Sequence, residues 1–266
     1  MLLDCLCVAL GGLFTYFVFR QTLKPNGQLT PLNLHFVDAM LAGMLICITL
    51  LLCIFAGKFF NKIYADDTSS AIFAYGFVYQ IIVLLAIIVF KKFAKFKFNF
   101  GFKLNLDVLK QALFYFLKAL LFAIGLGIVI NLSVYLTTGE LPEKQDIIGL
   151  FSQIKSPIIL LCAVFSVVIL APLMEELLFR CILYRSLMGL LCKVSFVAKA
   201  KELSAVVSAI IFAVAHDNTF ACIPLFVIGL LLTSLYERTN SIVAPMICHG
   251  LFNLFNIALI LAFPEV

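Results

Sequence analysis

Hydrophobic residues run along this chain in long blocks, each closed by a short polar or charged stretch. An α-helix of about 20 apolar residues is what it takes to cross the hydrocarbon core of a bilayer. The pattern therefore predicts membrane-spanning helices rather than the alternating strands or amphipathic helices of a water-soluble fold. The blocks fall at 2–19, 36–57, 71–90, 111–136, 156–184, 203–216, 220–235 and 242–263. The expected fold class is all-α, a polytopic membrane helical bundle of about eight transmembrane helices. The sixth block is short, and a weakly apolar stretch at 147–154 leads into the fifth. No internal repeat accompanies the pattern.

Composition agrees with it. The 266 residues are 64% hydrophobic and 12% charged, with a mean hydropathy of +1.15. A soluble domain carries about 25% charged residues, so a soluble globular protein is excluded and no separate large soluble domain fits between the spans. The net charge of +5 sits mostly on connector lysines. Two connectors, 91–110 and 185–202, hold the Lys/Arg excess, and an acidic one, 140–146, lies between them. In an eight-span count the two basic loops share a side, which the positive-inside rule makes the cytoplasm, with both termini outside. Lysines alternate with Phe93, Phe96, Phe98, Phe100 and Phe102, which suits a segment lying on the membrane surface as well as a solvated loop with aromatic anchors. No long basic arm or basic helix face is present, so the expected partner is the lipid bilayer and not nucleic acid.

The chain is expected to form one integral unit, with N-terminal transmembrane helices and the basic cytoplasmic loop in 1–140 and a catalytic transmembrane core in 141–266. Its expected location is the membrane, multi-pass, and the plasma membrane in a bacterium. Nine cysteines are an odd number, and seven lie in or beside apolar runs, where Cys behaves as a small hydrophobe. Cys5 and Cys7 form a C-x-C without a second pair or a nearby His, so no disulfide framework is implied. The first apolar run lacks a basic leader and a small-residue cleavage site, and is expected to stay as a span.

Against this background one stretch stands out, Ala171-Pro172-Leu173-Met174-Glu175-Glu176-Leu177-Leu178-Phe179-Arg180. Each charge at bilayer depth costs roughly 2.5–3.5 kcal/mol on insertion scales, which makes such a cluster a functional-site candidate. Glu176 and Arg180 are four apart, share a helix face and can neutralise each other. Glu175, about 100° round the helix, is left free to act as a general base. The other polar outliers are His216, at the end of the sixth block, and His249 with Asn253, four apart on one face of the eighth. His35 lies at a loop boundary without a partner and is expected to be structural. At 1.5 Å per residue, Glu175, His216, His249 and Asn253 all lie roughly 14–20 Å from the ends of their helices, near one depth. A carboxylate, two imidazoles and an amide meeting in a pocket suit hydrolysis by an activated water with a stabilised oxyanion. Zinc is compatible with Glu175, His216 and His249 as ligands, but no H-E-x-x-H is present and no metal or other cofactor is required.

At these residues the chain resembles the CAAX protease and bacteriocin-processing family of intramembrane endopeptidases. That family is marked by E-E-x-x-x-R, F-x-x-x-H and H-x-x-x-N/D in order, and this chain offers Glu175 to Arg180, Phe212 to His216, and His249 to Asn253. The resemblance covers residues 150–260. Cys181 departs from it, standing where the family usually has Gly. The resemblance implies that Glu175 activates water, supported by Glu176 and Arg180. It further implies that His216 orients the water and that His249 and Asn253 stabilise the oxyanion. The implied partner is a membrane peptide or lipidated protein substrate. A non-proteolytic protein for bacteriocin self-immunity or scaffolding is the alternative, and a proton-coupled transporter a more distant one.

Overall fold

The structure, a computed structural model, describes residues 29–32, 35–63, 68–94, 99–139, 151, 154, 156–193, 199–216 and 221–262. The expected span at 2–19, with Cys5 and Cys7, and the acidic connector at 140–146 lie outside the described residues. Most of the described residues are helical. In chain order the helices are α1 (Phe36–Ile63), α2 (Thr68–Phe93), α3 (Leu106–Thr138), α4 (Pro157–Leu191), α5 (Ala200–Val214), α6 (Cys222–Thr239) and α7 (Val243–Ala262). Six of the seven are long and apolar enough to cross a membrane. The exception is α5, whose 15 residues rise about 22 Å, less than the thickness of the hydrocarbon core. The sixth expected span, already short in the sequence, is thus a helix of 15 residues among the described ones. The protein is an integral, multi-pass membrane protein.

Local chemistry sets several of the helix ends. Asn105 caps α3 by accepting a hydrogen bond from Val108 N at 2.9 Å, and Gly139, in the left-handed region, closes it through its N–H to Tyr135 O. The His35 N–H donates to the Asp38 carboxylate at 2.9 Å as α1 begins. Asn240 ends α6 with φ 49°, a conformation that Asn tolerates better than most residues.

The most buried helix is α6, and it is common to two hydrophobic clusters. One joins α2, α4, α5 and α6 through Met174, Leu177, Tyr184, Ala209, Leu230 and Tyr236. The other joins α3, α6 and α7 through Ala112, Phe122, Ile228, Leu232 and Ala244. By contrast α1 packs chiefly on α2 and leaves Met40, Met44, Leu51 and Phe55 exposed, as a lipid-facing helix does.

At the end of the bundle where α4 finishes, polar contacts hold the segments together. Arg185 donates to Thr30 O and Asn99 O, each at 2.9 Å, and to the Thr30 hydroxyl at 3.2 Å. Leu32 N donates back to Arg185 O. Nearby, buried Glu237 accepts from the Tyr184 hydroxyl at 2.8 Å and pairs with Lys201 at 3.5 Å. The loops at 91–110 and 185–202, expected to share a side of the membrane, do meet at this end.

Helix α4 is not a regular α-helix. Residues Ser166–Leu170 and Glu176–Tyr184 are wound as π-helix, on either side of a short α segment, Ala171–Glu175. Pro172 lies between them and cannot donate to a preceding carbonyl. Ala171 N already donates to Ser166 O. Val167 O is therefore left without a donor from its own helix. A carbonyl orphaned inside a membrane needs another partner, and it has one in the site described next.

Candidate active site

Glu175 and Glu176 stand where the α segment of α4 gives way to the second π stretch. His216 follows the last turn of α5, and His249 lies within α7. These three helices bring four groups together. The Glu175 carboxylate oxygen Oε2 lies 3.7 Å from His216 Nε2 and 3.9 Å from His249 Nε2. The other nitrogen of His249, Nδ1, is 2.8 Å from Glu176 Oε1. The same Oε1 is 3.1 Å from Arg180 Nη1.

The two acids thus have different surroundings. Glu176 is fully buried and shared between a guanidinium and an imidazole. Glu175 is 16% exposed, beside a His216 that is 30% exposed, and its Oε2 accepts no hydrogen bond from the described residues. The i, i+4 spacing of Glu176 and Arg180 pairs them as expected. The bond from His249 to Glu176 was not expected from spacing, because it joins side chains from two helices far apart in the chain.

Both imidazoles are held by Nδ1. His216 makes its contact to Phe212 O at 2.8 Å and His249 to Glu176, so each presents Nε2 to Glu175. Phe212 packs beneath them, its ring 4.6 Å from His216 and 6.0 Å from His249. The guanidinium of Arg180 stacks over that ring at 4.3 Å, a cation–π contact strengthened by desolvation. Arg180 also reaches Gly229 O on α6 at 3.5 Å.

Asn253 lies apart from this hydrogen-bonded group. Its side-chain amide donates to Val167 O at 2.9 Å and so satisfies the carbonyl that the π turn and Pro172 orphan. One turn earlier on α7, Gly250 allows the close approach: a Cβ there would lie 2.6 Å from Val168 O. Neither Val167 nor Gly250 is visible as a functional position from residue type. The signal was Pro172, since a proline inside a span leaves a carbonyl that some other residue must satisfy.

Among the described residues no three His, Cys, Asp or Glu side chains are arranged to hold a metal ion. Glu175, His216 and His249, the expected zinc set, face one another as acid and bases at 3.7 and 3.9 Å.

Comparison with known proteins bears on the same residues. Residues 157–255 match the family model described as type II CAAX prenyl endopeptidase Rce1-like. That segment begins at the start of α4 and runs into α7, so it contains all six candidate residues. The chain is also 25% identical over 145 residues to the UPF0177 protein YxdF of Lactococcus lactis, covering 52% of this chain and 76% of that one. No solved structure matches the chain. With its three ordered motifs, the chain is similar across α4 to α7 to the type II CAAX prenyl endopeptidase Rce1-like family.

Proposed function

We propose that the protein is an intramembrane endopeptidase that hydrolyses a peptide bond of a membrane-embedded or lipid-anchored substrate, CAAX-type prenylated chains included. The observation that carries this is the shared Glu175 Oε2: a carboxylate oxygen that accepts no hydrogen bond from the described residues, faced by two imidazole nitrogens, at the partly open edge of an otherwise buried cluster.

In this reading Glu175 takes a proton from a water oriented by His216, and the water oxygen bonds to the scissile carbonyl carbon. The carbonyl electron pair moves onto oxygen, and His249 and Asn253 are assigned to stabilise that oxyanion. When the tetrahedral species collapses, the C–N bond breaks and the proton held by Glu175 passes to the leaving amine. Glu176 and Arg180 hold His249 in place; they do not exchange protons with substrate. The site works as an asymmetric pair of acids, one locked and one free.

The test compares the membrane peptidomes of cells carrying the native chain and the Glu175→Gln form. Loss of a general base costs about 10²- to 10⁴-fold in rate, so peptides cleaved in native cells should persist uncut with the variant. Identical peptidomes, with both proteins folded and equally abundant, would refute the endopeptidase reading and favour a binding or immunity role.

A further inference from the structure

We propose that Tyr79, on α2, supplies a hydrogen-bond donor for the oxyanion formed at Glu175, so that the active site includes a residue from outside the family-matched segment. The proposal rests on the endopeptidase reading above. Four observations support it.

First, α2 packs directly on the Ala171–Glu175 segment of α4, and Tyr79 lies against the cluster that contains Met174 and Leu177, the residues flanking the two acids. Second, the register of α2 against α4 is pinned next door. Ser166 Oγ donates to Gln80 Oε1 at 2.8 Å, a bond between two buried side chains. Third, the phenol of Tyr79 lies within electrostatic reach of the Glu175 carboxylate. Fourth, its hydroxyl makes no hydrogen bond with the described residues, and the side chain is only half-buried.

Hydrogen-bond accounting then favours Tyr79 over a purely structural role. One N–H of the Asn253 amide goes to Val167 O and the Nδ1 atoms of His216 and His249 go to Phe212 O and Glu176, so each of these groups keeps a single nitrogen function for the site and the Tyr79 hydroxyl adds a further donor. An O–H within electrostatic reach of the Glu175 carboxylate, in a low-dielectric setting, can donate strongly to a developing negative charge. Tyr79 keeps its proton throughout: it donates a hydrogen bond to the oxyanion and withdraws it as the C–N bond breaks. Tyr75, one turn before, has its ring 6.3 Å from that of Tyr79 but packs toward Gly57 on α1, and serves as the control.

The experiment measures cleavage of a substrate peptide found in the peptidome comparison, using purified full-length protein in lipid vesicles, for the native chain and for Tyr79→Phe, Tyr79→Ala, Tyr75→Phe and Glu175→Gln. Losing one oxyanion donor costs about 100-fold or more in kcat. Tyr79→Phe should show a loss of that order with KM little changed and the melting temperature kept, and Tyr75→Phe should match the native chain. If Tyr79→Phe cleaves like the native chain while Tyr79→Ala is slow and less stable, Tyr79 only packs and the proposal is wrong. A loss in Tyr79→Phe that appears in KM alone also overturns it, because an oxyanion donor acts in the transition state. If the native chain and Glu175→Gln cleave equally, the endopeptidase reading fails and this proposal falls with it, an outcome distinct from a fall of Tyr79 alone.

Discussion

Arg180 illustrates why residue type matters more than charge at this site. The guanidinium is 1% exposed, pairs with Glu176 at 3.1 Å and sits over the Phe212 ring at 4.3 Å. A lysine ammonium can answer the first contact but not the second, since it has no planar face to stack. Arg180→Lys should therefore keep the fold and lose activity, because Phe212 also underlies both histidines. Arg180→Met leaves the buried Glu176 carboxylate without its cation, and breaking a buried pair costs about 3–5 kcal/mol. Thermal melting of the two variants in detergent should separate them, with Arg180→Met falling well below Arg180→Lys. A double variant, Glu176→Gln with Arg180→Met, should recover part of that loss because it leaves no unpaired charge from this pair. Equal melting temperatures for all three would count against the ion pair as a structural element.

At the scale of helices, the π turns of α4 and the close approach of α7 form one device. The wide turn at Ser166–Leu170 and Pro172 expose Val167 O, and Asn253 closes it from α7 only because Gly250 leaves room. A methyl at 250 would press on a backbone oxygen, which cannot move aside as a flexible side chain can. Overpacking of this kind costs about 1–3 kcal/mol, and Gly250→Ala should destabilise by that order and weaken cleavage by shifting His249 on the same helix. Ser166→Ala should cost about 1–3 kcal/mol by leaving the buried Gln80 carbonyl unsatisfied. If Gly250→Ala melts and cleaves like the native chain, the packing described here is wrong.

Much of this scale was readable beforehand and some was not. The apolar blocks mark most of the helices, and a rise of 1.5 Å per residue is enough to place Glu175, His216 and His249 at one depth. The pairing of Glu176 with Arg180 follows from helical period alone. The contact of His249 with Glu176, the stacking of Arg180 on Phe212 and the packing of Tyr79 on the cluster around Met174 depend on how helices far apart in the chain rotate against one another. Gln80 pins α2 to Ser166, but in a nearly all-apolar helix its residue type alone does not name that partner. The π turns are equally silent, because uniformly hydrophobic residues fit a turn of 3.6 residues and a wider one alike.

Across the whole molecule, the basic loops form a single end. Asn99 and Gly101 bond to Arg185 and Ile242, while Gly139 closes α3 away from them. We expect this basic end to face the cytoplasm. A short epitope inserted after Lys103 should be reached by antibody only in permeabilised cells, and one inserted after Gly139 in intact cells. The reverse pattern would invert the protein in the membrane and put its basic end outside.

The clamp around Arg185 bears on how the chain can be divided. It joins Thr30 and Asn99, from the first half, to the helix that carries both acids, and Gly189 packs so closely on Leu32 O that no side chain fits between them. The two halves are therefore pieces of a single object that need not be covalently continuous. Encoded as separate polypeptides 1–140 and 141–266 and made in one cell, they should find each other in the bilayer and restore activity by fragment complementation. Arg185→Ala should abolish that reunion while sparing much of the uncut chain, which keeps its ends tethered. A transplanted 157–255 segment would carry the three family motifs without the partner surface that orients them.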